Sequence, residues 1–161
     1  ASAAIPAAFP PVIIDGALYV DGGTTSNILY GANWLSPKAP PALWKAAHPD
    51  EPFPKLRFWV IINNQLGTGA QIVQPTWLSI TRASLATAIR SSTIVALRHL
   101  YAQTQAMSED GYDVEFRYVA IPPDWIAPNA NAFDKDVMKS LTDLGLKMGR
   151  DPESWRRDFV D

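Results

Sequence analysis

The 161-residue chain contains no cysteine. That excludes disulfides and thiolate metal sites and leaves the compartment open. No apolar run approaches the roughly 20 residues needed to span a bilayer, and no basic stretch leads into an apolar core as in a signal peptide. Charge of either sign is scarce in excess: 14 basic against 16 acidic residues, a formal net charge of -2. Such a balance implies no field for nucleic acid or for an anionic membrane. Histidine is rare too. His99 has glutamine, not histidine or a carboxylate, four residues on, so it reads as a packed or surface residue and not as a metal ligand. His48 lies in a proline-rich stretch and is expected in solvent. Asp15 and Asp21 lack the alternating oxygen ligands of a calcium loop. None of the nine glycines is followed two residues later by serine, and no run of three glycines occurs. The chain therefore has neither a Gly-x-Ser-x-Gly nucleophile elbow nor the glycine-rich loop of an oxyanion hole. Gly67-Thr68-Gly69 has no further glycine at dinucleotide-loop spacing and reads as a turn. Neither a metal nor an organic cofactor is implied.

What is present centres on residues 12–23. Asp15-Gly16 separates Val12-Ile13-Ile14 from Leu18-Tyr19-Val20, the pattern of a hairpin with a type I′ turn, which needs positive φ at both central residues. Asp21-Gly22-Gly23 follows the second strand. Two glycines there allow a sharp turn and a close approach by other groups, and they place the Asp21 carboxylate uncrowded at the strand tip. Spacing alone favours a plain hairpin with a glycine-rich exit, since Asp-Gly turns are common.

The stretch before the hairpin adds to that reading. Ser2-x-Ala4-x-Pro6, then Phe9-x-Pro11-Val12, the hairpin, Asp21-Gly22-Gly23 and Asn27 occur in this order. The block resembles the region around the catalytic aspartate of patatin-like phospholipases. In this chain the Asn is followed by Ile28-Leu29, where the family usually has x-Pro, a departure in the loop after the aspartate. The resemblance implies that Asp21 is half of a Ser–Asp dyad that hydrolyses lipid esters, with Gly22, Gly23 and Asn27 shaping the loop around it. It also implies a nucleophile and an oxyanion loop N-terminal to the Asp-Gly-Gly motif. Ser2 is upstream as well but has no elbow glycines, so it reads as structural, a cap for a short helical turn.

Further along, residues 24–36 could hold a short helix after Ser26 or Asn27. Residues 37–54 contain six of the 14 prolines and read as a surface excursion around a short helix at 41–47, anchored by Trp44. Residues 56–62 are a near-continuous apolar run, expected as a central parallel strand covered on both faces and ended by Asn63-Asn64. Residues 77–108 form a long helix with an apolar stripe including Ile80, Ala83, Ile89 and Val95, kinked or divided at Ser91-Ser92-Thr93 and closed by Gly111. Residues 114–121 alternate as a strand with an open face or edge. Asp134 caps a helix at 135–148 with Gly149 as its C′ residue, and Asp151-Pro152-Glu153 opens a last short helix. Arg150, Arg156 and Arg157 read as a solvated helix face. Asn131-Ala132-Phe133-Asp134 and Leu141-x-x-Leu144-Gly145 extend the resemblance, more weakly, to the C-terminal helix of bacterial patatin-like proteins.

Strand and helix alternate, so the fold class is α/β with helices covering a sheet. The resemblance implies part of a three-layer α/β/α domain, with residues 1–161 as its C-terminal portion. The implied function is the Asp-bearing part of a lipid acyl hydrolase working through an acyl-serine. The alternative is a binding or scaffold domain of the same fold without catalysis. The expected partners are a lipid ester, a membrane surface contacted peripherally, and either the N-terminal segment of the same domain or a second copy of the chain. An exported or membrane-associated bacterial protein is compatible with all of this.

Overall fold

A computed structural model of the chain describes residues 4, 9–24, 28, 39–69, 72–129, 131 and 133–159. Asp15 and Gly16 take φ of 50° and 78°, the left-handed pair that a type I′ turn requires. They join strands β1 (Val12–Ile14) and β2 (Ala17–Tyr19), antiparallel with Val12 opposite Tyr19 and Ile14 opposite Ala17. The second strand starts one residue earlier than its apolar run suggests, because a two-residue turn fixes Ala17 as the partner of Ile14. Every residue of both strands is exposed.

The fold is mixed α/β and divides into two compact units, Ala1–Lys55 with Ala70–Val114 and Leu56–Gly69 with Glu115–Asp161. In the first, helix α1 (Pro40–Ala47) starts with prolines in its first turn, where no amide hydrogen is needed. Trp44 is its half-buried anchor. The indole N–H donates to the Pro52 carbonyl at 3.1 Å, and the ring meets Phe53 edge-on, which in turn meets Tyr112. His48 is not simply solvated: its ring stacks on Trp44 at 4.2 Å, with Nδ1 3.8 Å from Glu51.

Helix α2 (Trp77–Glu109) has 33 residues, about 50 Å of rise. No helix among the described residues is long and apolar enough to cross a membrane. Thr76 caps it, its hydroxyl accepting from the Ser79 amide. The helix is unbroken at Ser91-Ser92-Thr93, and the Thr93 hydroxyl donates back to the Ile89 carbonyl at 2.9 Å, within the helix. Its buried residues are Thr93, Leu97, Leu100, Thr104 and Met107, a stripe at alternating four- and three-residue steps. The stripe is confined to the C-terminal half. Ile80 and Val95, expected to belong to it, are exposed. Gly111, at φ 88°, closes α2. Its amide bonds to the Ser108 carbonyl and that of Tyr112 to Met107, the two hydrogen bonds of a Schellman cap.

In the second unit β3 (Leu56–Gln65) pairs with β4 (Val114–Ile121). Arg57 contacts Glu115, Trp59 contacts Arg117 and Gln65 contacts Pro122. The partners advance together, so the strands run parallel. β3 does not stop at Asn63-Asn64. The Gln65 amide donates to the carbonyls of Pro122 and Trp125, both at 2.8 Å, and this long-range tie holds the polar end extended. Nor is β3 covered on both faces. Leu56, Phe58, Val60 and Ile62 turn inward, while Trp59 and Ile61 are 57% and 75% exposed. On β4 the buried side chains are Phe116 and Tyr118. Tyr118 also exchanges two backbone hydrogen bonds with Arg156, both 2.9 Å.

Helix α3 (Lys135–Arg150) is capped by Asp134, whose carboxylate accepts from the Asp136 amide. Gly149 stays inside this helix and the cap falls at Asp151, which also caps the 3-10 turn Pro152–Ser154. Arg150 therefore ends a helix, whereas Arg156 and Arg157 lie past the 3-10 turn and form no helix face. Gly67 and Gly69 lie in an irregular segment after β3 rather than in a turn.

Candidate active site

The hairpin delivers the chain to Asp21 through Val20. Asp21 does not sit on the strand tip: β2 ends at Tyr19, and Asp21 begins the next turn, the 3-10 segment Gly22–Thr24. Two hydrogen bonds define its place. Oδ1 accepts from the Gly23 amide at 2.7 Å, and the Asp21 amide donates to the Ala4 carbonyl at 3.0 Å. The first is the local side-chain-to-backbone turn that aspartate favours. It ties the carboxylate to the turn that follows it. The second is long-range. Ala4 is buried, while Asp21 is half-buried.

Ala4 was not singled out as a site residue. It is the alanine of the Ser2-x-Ala4-x-Pro6 segment, and its carbonyl ties that segment to the Asp-Gly-Gly turn. The signal for it was present in the ordered motif, but the contact spans 17 residues and no local propensity reports it.

Gly22 lies outside the left-handed region, and a Cβ placed there would meet nothing within 4 Å. Its lack of a side chain is therefore demanded neither by backbone conformation nor by packing within the described residues. It leaves open space beside the Asp21 turn. Asn27 lies outside the described residues, as do Ser2 and most of the stretch at 24–36 considered for a short helix.

The remaining candidates are not gathered with Asp21. Asp15 is in the hairpin turn and exposed. His48 belongs to the Trp44 stack. His99 lies on the exposed side of α2 with its Nε2 3.1 Å from the Gln103 amide one turn on. Among the described residues no three histidine or carboxylate side chains converge in a way that could hold a metal ion.

The family model of patatin-like phospholipase matches residues 1–34 of the chain. The matched stretch holds Ala4, the hairpin, Asp21, Gly22, Gly23 and Asn27, the block on which the resemblance rests. It stops short of Asn131–Asp134 and Leu141–Gly145, where the weaker resemblance was traced. No curated protein and no solved structure shows significant similarity to the chain. The match points to a family of lipid hydrolases, and the mixed α/β fold is compatible with it.

Proposed function

We propose that residues 1–161 are the aspartate-bearing, C-terminal portion of a patatin-like lipid acyl hydrolase, with Asp21 as the general base of a Ser–Asp dyad. The observation that carries this reading is the family match over residues 1–34, the stretch in which Ala4 and Asp21 are hydrogen-bonded to each other. The open space over Gly22 supports it, since a serine on a neighbouring segment has to come within about 3 Å of the Asp21 carboxylate.

The serine comes from outside these 161 residues, because no Gly-x-Ser occurs among them. In the proposed reaction its hydroxyl oxygen attacks the ester carbonyl of a lipid while its proton passes to Asp21. The lipid alcohol leaves with that proton, and an acyl-serine remains. Water then repeats the sequence, and the fatty acid departs. The same upstream segment supplies the oxyanion donors and covers the hairpin, whose apolar residues are exposed here.

The experiment has two parts. Coding sequence upstream of Ala1 is read for Gly-x-Ser-x-Gly and a glycine-rich loop, and the extended protein is assayed on a nitrophenyl acyl ester beside the 161-residue chain. Turnover in the extended protein only is the expected result. An extended protein with neither motif and no turnover leaves the alternative, a binding or scaffold domain of this fold. Turnover by the 161 residues alone that Asp21→Ala abolishes would mean that the nucleophile lies within them.

A further inference from the structure

Charge is distributed unevenly along the chain. Residues 52–108 contain no aspartate or glutamate, and residues 58–81 contain no charged side chain at all. The uncharged stretch ends in the first turns of α2. None of residues 77–92 is buried, and the first buried side chain of the helix is Thr93, about 24 Å of helix rise beyond Trp77. Trp77 is 78% exposed, and Leu78, Ile80 and the preceding Ile72 and Val73 are exposed as well. Val73 and Ile80 wall the same groove, so the segment before the helix lies beside its first turns.

The polar atoms of this apolar end are paired locally. The Thr76 hydroxyl donates to the Ser79 hydroxyl at 2.9 Å, and the Thr81 hydroxyl donates to the Trp77 carbonyl at 2.8 Å. The Ser79 amide donates to the Thr76 hydroxyl, and the Thr76 amide to the Gln74 carbonyl. Pro75 has no amide hydrogen to satisfy. Such pairing lowers the cost of leaving water, since a polar group is penalised in an apolar medium chiefly when it has no hydrogen bond.

We propose that this end of α2 enters the surface of an anionic phospholipid bilayer, with Trp77, Leu78 and Ile80 at the boundary of headgroups and acyl chains and Arg82 at the phosphates. Shape and charge select a lipid surface over a protein partner. Successive helix residues point about 100° apart, so Trp77, Leu78 and Ile80 face three directions around the axis. A partner helix or strand covers one side of a helix, whereas a fluid bilayer surrounds all three. Tryptophan suits that boundary, with an apolar ring and one polar N–H. Arg82 is exposed and follows Trp77 by about 7.5 Å of rise, within the roughly 5–10 Å to which interfacial helices enter. No acidic residue precedes Glu109 on α2, so the charge this helix brings to the lipid is of one sign. The overall charge of -2 supplies no long-range field, and binding rests on apolar burial first and on Arg82 second. The surface stands whether or not Asp21 is a catalytic base.

The test sediments the full chain with vesicles of mixed phosphatidylcholine and phosphatidylglycerol and, separately, of phosphatidylcholine alone. Tryptophan quenching by brominated acyl chains reports insertion, and no turnover is needed. Tighter binding to the mixed vesicles is expected. Trp77→Phe should keep most of the binding and lose most of the quenching. Leu78→Ser combined with Ile80→Ser should weaken binding to both vesicles at least about tenfold, the loss of two apolar anchors. Arg82→Gln should weaken binding to the mixed vesicles roughly fivefold, the share of one basic residue at an anionic surface, and leave phosphatidylcholine unchanged. Ile13→Ser combined with Leu18→Ser, in the equally exposed hairpin, should leave binding as it was. No binding to either vesicle, undiminished quenching in Trp77→Phe, or binding lost in the hairpin variant and kept in the helix variant would overturn the proposal. A lipid-free dimer that the Leu78 and Ile80 substitutions dissociate, without vesicle binding by the parent, would assign this end to a second copy of the chain instead.

Discussion

The two strand pairs of this chain are built from similar residues and end in opposite states. In β3–β4 the apolar side chains are sorted. Ile62, Phe116 and Tyr118 are buried on one side, and the outward side passes from charged to apolar. In the hairpin nothing is sorted. Ile13 is 70% and Leu18 is 68% exposed, and Val12, Ile14, Tyr19 and Val20 are exposed as well. The difference lies in what fixes the register. A buried face specifies β3–β4, whereas only the Asp15-Gly16 turn specifies β1–β2. A two-stranded hairpin is marginal by itself in water. Its apolar composition is therefore not explained by anything the described residues bury, and the proposed cover by an upstream segment would explain it.

Substitutions can break or sharpen this contrast. The largest effect is expected in the sorted pair: Phe116→Ala should cost about 3–5 kcal/mol, read from the urea midpoint, because it removes a buried ring and leaves a cavity. Gly111→Ala should cost about 1–2 kcal/mol, the strain of a left-handed alanine at the α2 cap, read from the thermal midpoint. Gly16→Ala imposes the same strain on the hairpin. It should nonetheless move the global midpoint less, since an exposed hairpin opens locally before the rest unfolds. Leu18→Ala should stay within about 0.5 kcal/mol in this chain and cost clearly more in the upstream-extended protein. Equal small effects in both would remove the argument for a cover over the hairpin.

The smallest expected effect depends on pH. Hydrogen bonds from the Asn129 side chain and the Asp136 amide hold the Asp134 carboxylate below its ordinary value of 3.8. A lowered carboxylate stabilises the folded state above its unfolded-state pKa and loses that contribution as pH falls through the folded value. Asp134→Asn keeps a capping oxygen and removes the charge. Its thermal midpoint should lie slightly below that of the parent at neutral pH, and the gap should close only below pH 3.8.

Where local chemistry decides, the sequence was readable. The Asp15-Gly16 turn, the Asp134 cap, the β4 limits and the Gly111 closure follow from residue type and φ preference. Readings failed where a distant or a satisfied partner decides. β3 runs on through Asn63-Asn64 because Gln65 reaches Pro122 and Trp125. α2 passes Thr93, whose hydroxyl is bonded to Ile89 within the helix. The α2 stripe ends early because burial, not periodicity, sets how much of a helix is used. At the site, Asp21 was legible through its motif, while its tie to Ala4 was not, being a contact between backbone atoms that carry no residue signature.

The most direct test of the account is the Asp21→Asn substitution in the upstream-extended protein. Asparagine retains an oxygen to accept from the Gly23 amide, so that contact of the turn is kept while the basic carboxylate is removed. The account predicts a fall in ester turnover of roughly 10²–10⁴-fold, the contribution of a general base, with the thermal midpoint nearly unchanged. Unaltered turnover in that variant would contradict the assignment of Asp21 as the base.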